Sequence, residues 1–141
     1  MNIPSTIFVN GDGGSRGNPG PAASAFTVSD GEKELHHESR FLGIATNNVA
    51  EYTCVLMALE WLVKNAQDVN EIVFRLDSEL VTKQIRGEYK VRSPHLLPLY
   101  KKALSLISSL PNGIQFESVP RGENSLADKY VNEELDAALA S

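Results

Sequence analysis

Residues 71–87 read EIVFRLDSELVTKQIRG, and the character of the sequence changes at one residue. Up to Leu76 the apolar run Ile72-Val73-Phe74 has the length and composition of a buried strand, over 71–76. From Ser78 onward the pattern predicts a short helix, 78–86, closed by Gly87. Asp77 falls between the two, at the buried end of the strand. Upstream, from Asn48 to Ala66, the residues Ala50, Cys54, Val55, Ala58, Trp61 and Leu62 recur at helical spacing, which predicts a largely buried helix. Downstream, 86–94 (RGEYKVRSP) reads as a connector, 95–109 as a helix, 114–119 (IQFESV) as a fifth strand and 124–139 as a C-terminal helix. Toward the N-terminus, 5–10 (STIFVN) is a β-prone run expected to end in the glycine-dense stretch 11–21 (GDGGSRGNPGP). Residues 22–30 and 33–42 flank Asp30-Gly31, a dipeptide typical of tight hairpin turns. The order β-β-β-α-β-α-α-β-α predicts an α/β fold: a five-stranded mixed sheet, three antiparallel strands and then two parallel ones, flanked by helices. Such sheets bind ligands beyond the carboxyl ends of their parallel strands, which is where Asp12 and Asp77 follow strands one and four.

Bulk properties bound the function. A chain of 141 residues is expected to form one domain, 1–141, and a globule of that size buries roughly 68–70% of its unfolded surface. No apolar run approaches the roughly 20 residues of a membrane span, and Met1 to Ser5 lacks the pattern of a secretory signal. Cys54, the single cysteine, excludes an internal disulfide and fits a reducing compartment. A cytoplasmic location is therefore expected, as a monomer with no membrane and no protein partner in evidence. The net charge of −5 argues at first against a polyanionic partner. Yet Lys83, Arg86, Lys90, Arg92, Lys101 and Lys102 face a single acid, Glu88, between residues 83 and 102.

Four carboxylates carry the chemistry: Asp12 in the glycine-rich stretch, Glu51 opening the long helix, Asp77 ending a strand and Asp128 starting the last helix. Each also has an ordinary structural reading. Asp12 before Gly13 suits a turn, and Asp77 could cap the helix that begins at Ser78. Glu51 lies three residues after Asn48, and Asp128 three after Ser125, both at capping-box spacing. Direction argues otherwise for Glu51, which shares a helical face with Val55, Ala58 and Leu62, where an unpaired charge is expensive. Acids gathered on one sheet edge would repel one another unless cations sat among them. Hard divalent cations such as Mg²⁺ take oxygen ligands, and two held close together can stabilise both oxygens of an in-line displacement at phosphorus. The acids therefore predict metal-dependent phosphoryl chemistry.

Four segments, DGGSRGNPGPA at 12–22, TNNVAEY at 46–52, DSELVTKQIRG at 77–87 and R-x-x-N-x-x-A-D at 121–128, together resemble the type 1 ribonuclease H family. They occur in that family's order and span nearly the whole chain. The resemblance implies the ribonuclease H-like fold and endonucleolytic cleavage of the RNA strand of RNA–DNA hybrids, giving 5′-phosphate and 3′-hydroxyl ends. It implies two Mg²⁺ ions, with Mn²⁺ a possible substitute, held by Asp12, Glu51, Asp77 and Asp128 as metal-binding and catalytic acids. Gly13, Ser15, Asn18, Thr46, Asn47, Asn48 and Arg121 match substrate-binding positions or regions, and the basic stretch adds Lys90 and Arg92, its most exposed members by this reading, as expected contacts to the duplex. Hybrid duplexes are near A-form, with a wide minor groove lined by 2′-hydroxyls, and amides both donate and accept there.

The chain departs from the family pattern at several points. The loop PRGENSL before the last helix holds no histidine, where many bacterial members carry one for proton transfer or product release. Arg121 stands there instead, unable to act as a base but able to hold a phosphate. Glu79 replaces a groove-contacting amide of some relatives, the basic handle is shortened to 86–94, and no hybrid-binding domain precedes the nuclease, so affinity and processivity are expected to be modest. His36 and His37 alternate faces of a strand, and Cys54, Met57 and Trp61 read as packing. Competing readings are a catalytically weak or inactive hybrid-binding module of the same fold, a DNA-directed nuclease relative, and a metal-free scaffold.

Overall fold

The computed structural model describes residues 4–140. Its elements follow the expected order: β1 (Thr6–Ser15), β2 (Gly20–Ser29), β3 (Glu34–Ala45), α1 (Asn47–Asn65), β4 (Glu71–Leu76), α2 (Glu79–Ile85), α3 (Leu97–Ser108), β5 (Gly113–Ser118), a 3₁₀ turn (Arg121–Asn124) and α4 (Ser125–Leu139). The five strands form one sheet in the order β3-β2-β1-β4-β5. Pairing is antiparallel from β1 to β2 to β3 and parallel from β1 to β4 to β5.

Two helices bury the centre of the sheet from opposite sides. On one face α1 contributes Tyr52, Val55, Leu59 and Leu62 to a core shared with Phe26, Ile72, Phe74 and Leu76. On the other, Val131 and Leu135 of α4 pack on Ala23 and Ala25 of β2. Strand β2 is therefore buried along nearly its whole length, and its alanines leave the space that close helix packing requires. On the outer strand β3, His36 stacks on Trp61 of α1 with ring centres 4.8 Å apart, while His37 stacks on Tyr130 of α4 at 4.1 Å. The two neighbouring imidazoles thus grip helices on opposite faces, as a strand's period of two dictates.

One expectation is corrected. Strand β1 does not end at Asn10 but runs on to Ser15, pairing Gly11 through Ser15 with Phe26 through Ala22. Asp12 is therefore a strand residue rather than a turn residue. Glycines in a strand often mark a close approach of another backbone, and that is their use here. A Cβ on Gly13 would lie 2.2 Å from the Ala50 carbonyl oxygen and 2.6 Å from the Glu51 nitrogen. The first turn of α1 occupies the space a side chain would need. Helix α3 begins two residues later than expected, with Pro98 in its first turn, where its missing N–H costs nothing.

Candidate active site

The pairing of β1 with β4 stops at Gly11 and Leu76. Asp12 and Asp77 are the next residues along the chain, so the two segments diverge where these side chains emerge. Glu51 reaches the same place from the first turns of α1. Asp12, Glu51 and Asp77 each offer an oxygen, and these atoms lie within 4.8 Å of one another. Two bonds fix the approach of α1: the Gly13 N–H donates to Glu51 Oε1 at 3.1 Å, and Ser24 Oγ donates to the Ala50 carbonyl at 2.6 Å.

The capping readings of these acids do not hold. The cap of α1 is Thr46, whose Oγ1 accepts from the Val49 N–H at 3.2 Å, so Asn48 and Glu51 form no capping box. Ser78 itself caps α2 by accepting from Val81, and α4 has no side-chain cap. Asp77 and Asp128 are thus released from the structural roles that could have explained them.

Electrostatics at the cluster favour an added positive charge. Burial, then the charge of Asp77 and a smaller contribution from Asp128, push the Asp12 carboxyl up to about 7. Burial, then Asp12 and Asp77, hold Glu51 well above the usual carboxylate range. Asp77 is also raised by burial, against the opposing pull of Arg121. Among the described residues, Glu51 Oε2 and Asp77 Oδ2 are buried without a hydrogen-bond partner. Arg121 Nε stands 3.7 Å from Asp77 Oδ2, too far to satisfy it, and its side chain is 83% exposed. Crowded carboxylates with orphaned oxygens are a donor set suited to a hard divalent cation, and the triad can bind one.

Around the acids lies a cleft of about 360 Å³, lined among others by Gly13, Ser15, Arg16, Asn47, Asn48, Arg121, Asp128 and Asn132. A larger depression of about 780 Å³ lies beside β5, α2 and α3 and touches none of the acids; the chemistry singles out the smaller one. Asp128 lines the cleft, half-buried, but falls outside the tight three-acid group. Its Oδ2 accepts from Asn132 Nδ2 at 3.3 Å.

The other expected residues divide. Asn47 Oδ1 accepts from both the N–H (2.8 Å) and the hydroxyl (3.1 Å) of Ser15, and the Asn47 N–H donates to Asn18 Oδ1 at 3.0 Å. Asn18 and Thr46 therefore shape the rim through the start of α1. Lys90 and Arg92 are exposed on the connector and do not line the cleft. The connector is anchored instead by Gln84, which donates to the Lys90 carbonyl at 3.3 Å and accepts from the Tyr52 hydroxyl at 2.5 Å.

Three positioning residues went unread in the sequence. Asn124, 1% exposed, donates to the Gly11 carbonyl at 2.7 Å and accepts from Asn10 Nδ2 at 3.1 Å, tying the start of α4 to β1 beside Asp12. Arg16 and Asn132 join the glycine loop to α4. A polar residue inside a motif was the available signal for Asn124 and Arg16; Asn132 had none, because it meets Arg16 across more than a hundred positions of sequence.

Known proteins resemble the chain over nearly its full length. Residues 10–134 match a family model described as reverse transcriptase-like. The bifunctional protein Rv2228c of Mycobacterium tuberculosis is 41% identical over 137 residues, 96% of this chain. The chain spans only 37% of the length of that relative. Ribonuclease HI of Halobacterium salinarum is 38% identical over 128 residues, 90% of this chain and 63% of that protein. Among solved structures, LC11-RNase H1 in complex with RNA/DNA hybrid superposes with a TM-score of 0.88 at 39% identity, covering 94% of this chain and 99% of that one.

Proposed function

The chain belongs to the type 1 ribonuclease H family, and we propose on that footing that it hydrolyses the RNA strand of RNA–DNA hybrids internally, leaving 5′-phosphate and 3′-hydroxyl ends. The observation that carries the reading is the group of Asp12, Glu51 and Asp77, with buried oxygens that lack hydrogen bonds, where β1 and β4 part. These three, with Asp128 as a further ligand, would hold two Mg²⁺ ions. Bound there, the cations supply a lowered pKa for an attacking water and charge stabilisation for the leaving oxygen.

The remaining work falls to the chain's own groups. The Gly13 N–H fixes one oxygen of Glu51 and leaves the other to a ligand. Asn18 and Asn47 spend their carbonyl oxygens inside the protein, which leaves their amide NH₂ groups to donate to 2′-hydroxyls or base edges. That a structural relative was crystallised on RNA/DNA hybrid supports this substrate. Arg121, exposed at the cleft mouth, offers a planar fork to a phosphate. Lys90 and Arg92 would meet the backbone farther along the duplex.

The nuclease unit is residues 1–141, and a cytoplasmic monomer is the form we propose. A buried free Cys54 suits that compartment, and no helix among the described residues is long and apolar enough to cross a membrane. The test compares RNA–DNA hybrid, double-stranded RNA, double-stranded DNA and single-stranded RNA with Mg²⁺ on a gel. Internal cuts confined to the RNA of the hybrid are expected. Cleavage of duplex DNA at a comparable rate, or hybrid binding without cleavage, would replace this reading with one of its rivals.

A further inference from the structure

Asp128, Asn132 and Asp136 follow one another at intervals of four residues, so they share one face of α4 over successive turns. Asn132 Nδ2 donates to the Asp128 carbonyl at 3.0 Å and to Asp128 Oδ2 at 3.3 Å. The amide's other end, Oδ1, accepts from Arg16 Nη2 at 3.3 Å, and the same nitrogen reaches Asp136 Oδ1 at 2.7 Å. Arg16 is not itself part of α4. It stands just past the end of β1, where its N–H donates to the Pro21 carbonyl at 2.8 Å. The preceding residue, Ser15, is bonded twice to Asn47 at the start of α1. One short loop is thereby fastened to α1 on one side of the cleft and to α4 on the other.

The chemistry of the middle residue is restrictive. An amide can donate to a carboxylate and accept from a guanidinium at once; a carboxylate at 132 would turn an acceptor toward an acceptor, and an alkyl chain could make neither bond. Arg16, permanently charged, is neutralised by Asp136 and so can hold Asn132 in this orientation.

We propose that Arg16 and Asn132 are positioning residues that set the orientation of Asp128 at the edge of the three-acid group, and so couple the loop at the end of β1 to the fourth carboxylate. The inference rests on the assignment of Asp128 as a cation ligand made above. Outer partners of metal ligands commonly matter by an order of magnitude or more in affinity, and this chain of hydrogen bonds ends on Asp128.

Calorimetric titration of the free protein with Mn²⁺, run beside the Mg²⁺ dependence of hybrid cleavage and the hybrid KM, tests it. Arg16→Met and Asn132→Leu should each weaken Mn²⁺ binding about tenfold and raise the Mg²⁺ requirement by a similar factor, with hybrid KM unchanged. Arg16→Lys should recover part of the loss. Asp136→Asn, which keeps the side-chain shape and removes only the charge opposite Arg16, should give a smaller, roughly threefold loss in the same direction, and reads the tie should either larger change disturb folding. If Arg16→Met instead raises hybrid KM and flattens its salt dependence while Mn²⁺ binding stays at the parent value, Arg16 is a phosphate ligand and the inference fails. Should Asp128→Asn also leave Mn²⁺ binding and cleavage untouched, the error lies in the assignment of Asp128 itself.

Discussion

Asp12 and Glu51 are 5% and 6% exposed, and among the described residues the cation recorded beside their group is Arg121, 3.7 Å from Asp77. In the connector from Arg86 to Pro94 and the helix before it, charge is handled in the opposite way. Arg86 pairs with Glu88 at 2.8 Å and Lys83 with Glu79 at 2.7 Å, all on solvent-facing side chains. Exposed pairs of this kind contribute little individually and are weakened by salt. Buried, crowded acids are held in an unfavourable state by the packing around them, as groups reserved for a ligand often are. The contrast separates residues that should matter one at a time from residues that should matter only as a sum.

The sharpest way to break that contrast is Asp77→Asn. Loss of a ligand oxygen should lower the cleavage rate on the order of 10³-fold or more, since several kcal/mol of charge stabilisation depend on it. Removing one of three repelling charges should leave the metal-free protein as stable as before or more so in thermal unfolding. Near-normal turnover by the folded variant would make Asp77 an ordinary strand-end residue.

Next in size is the effect of pH on the metal-free protein. Asp12 in the unfolded chain ionises near 3.8, whereas in the folded protein its carboxyl is pushed up to about 7. An acid raised in this way costs nothing below its unfolded value. As pH climbs from about 4 to about 7 the unfolded state gains the charged form first, and folding loses stability, by a few kcal/mol at most. Melting curves of the parent and Asp12→Asn should therefore diverge between about pH 4 and about pH 7 and run parallel above it, with the variant the more stable at the upper end, and Mg²⁺ should close the gap. Parallel curves across that range would mean that burial does not act on Asp12 as described.

Arg121→Ala should come third, lowering hybrid cleavage roughly tenfold with little change in the Mg²⁺ concentration for half-maximal rate, as expected for a charge-assisted bond to phosphate. A change confined to the Mg²⁺ requirement would tie Arg121 to the cation site through Asp77 instead. The smallest effect belongs to the exposed region: joint replacement of Lys90 and Arg92 by alanine should weaken hybrid binding severalfold at low salt and leave the saturated rate alone. The log–log salt slope should flatten by about one for each phosphate that is no longer neutralised. If that pair cost as much as a buried acid, the division between singly important and collectively important charges would fall.

Element order, the buried long helix and the burial of Glu51 were legible in the sequence because they rest on periodicity, which is local. The extent of β1 was not. Gly11 and Gly13 look like turn residues until α1 is seen pressing on their backbone, across nearly forty positions of sequence. The α1 cap was hidden for a similar reason: Thr46 and Asn48 are both competent caps, and the choice fell to Thr46 while Asn47 was drawn onto Ser15. Asp128 stands out by its motif, yet its place at the edge of the three-acid group follows from how α4 lies across the sheet, which no local pattern encodes. The partners that Arg16, Asn124 and Asn132 take were hidden on the same grounds, although Arg16 and Asn124 lie inside motifs.

The stacked rings on β3 have a practical consequence. Trp61 is the only tryptophan in the chain and lies nearly parallel to the His36 imidazole, 4.8 Å between centres. The intrinsic fluorescence of this protein is thus a label-free optical readout of whether the outer strand remains seated on the long helix. A titration or stopped-flow trace at a single emission wavelength would report that seating with no dye attached, at a point remote from the acids.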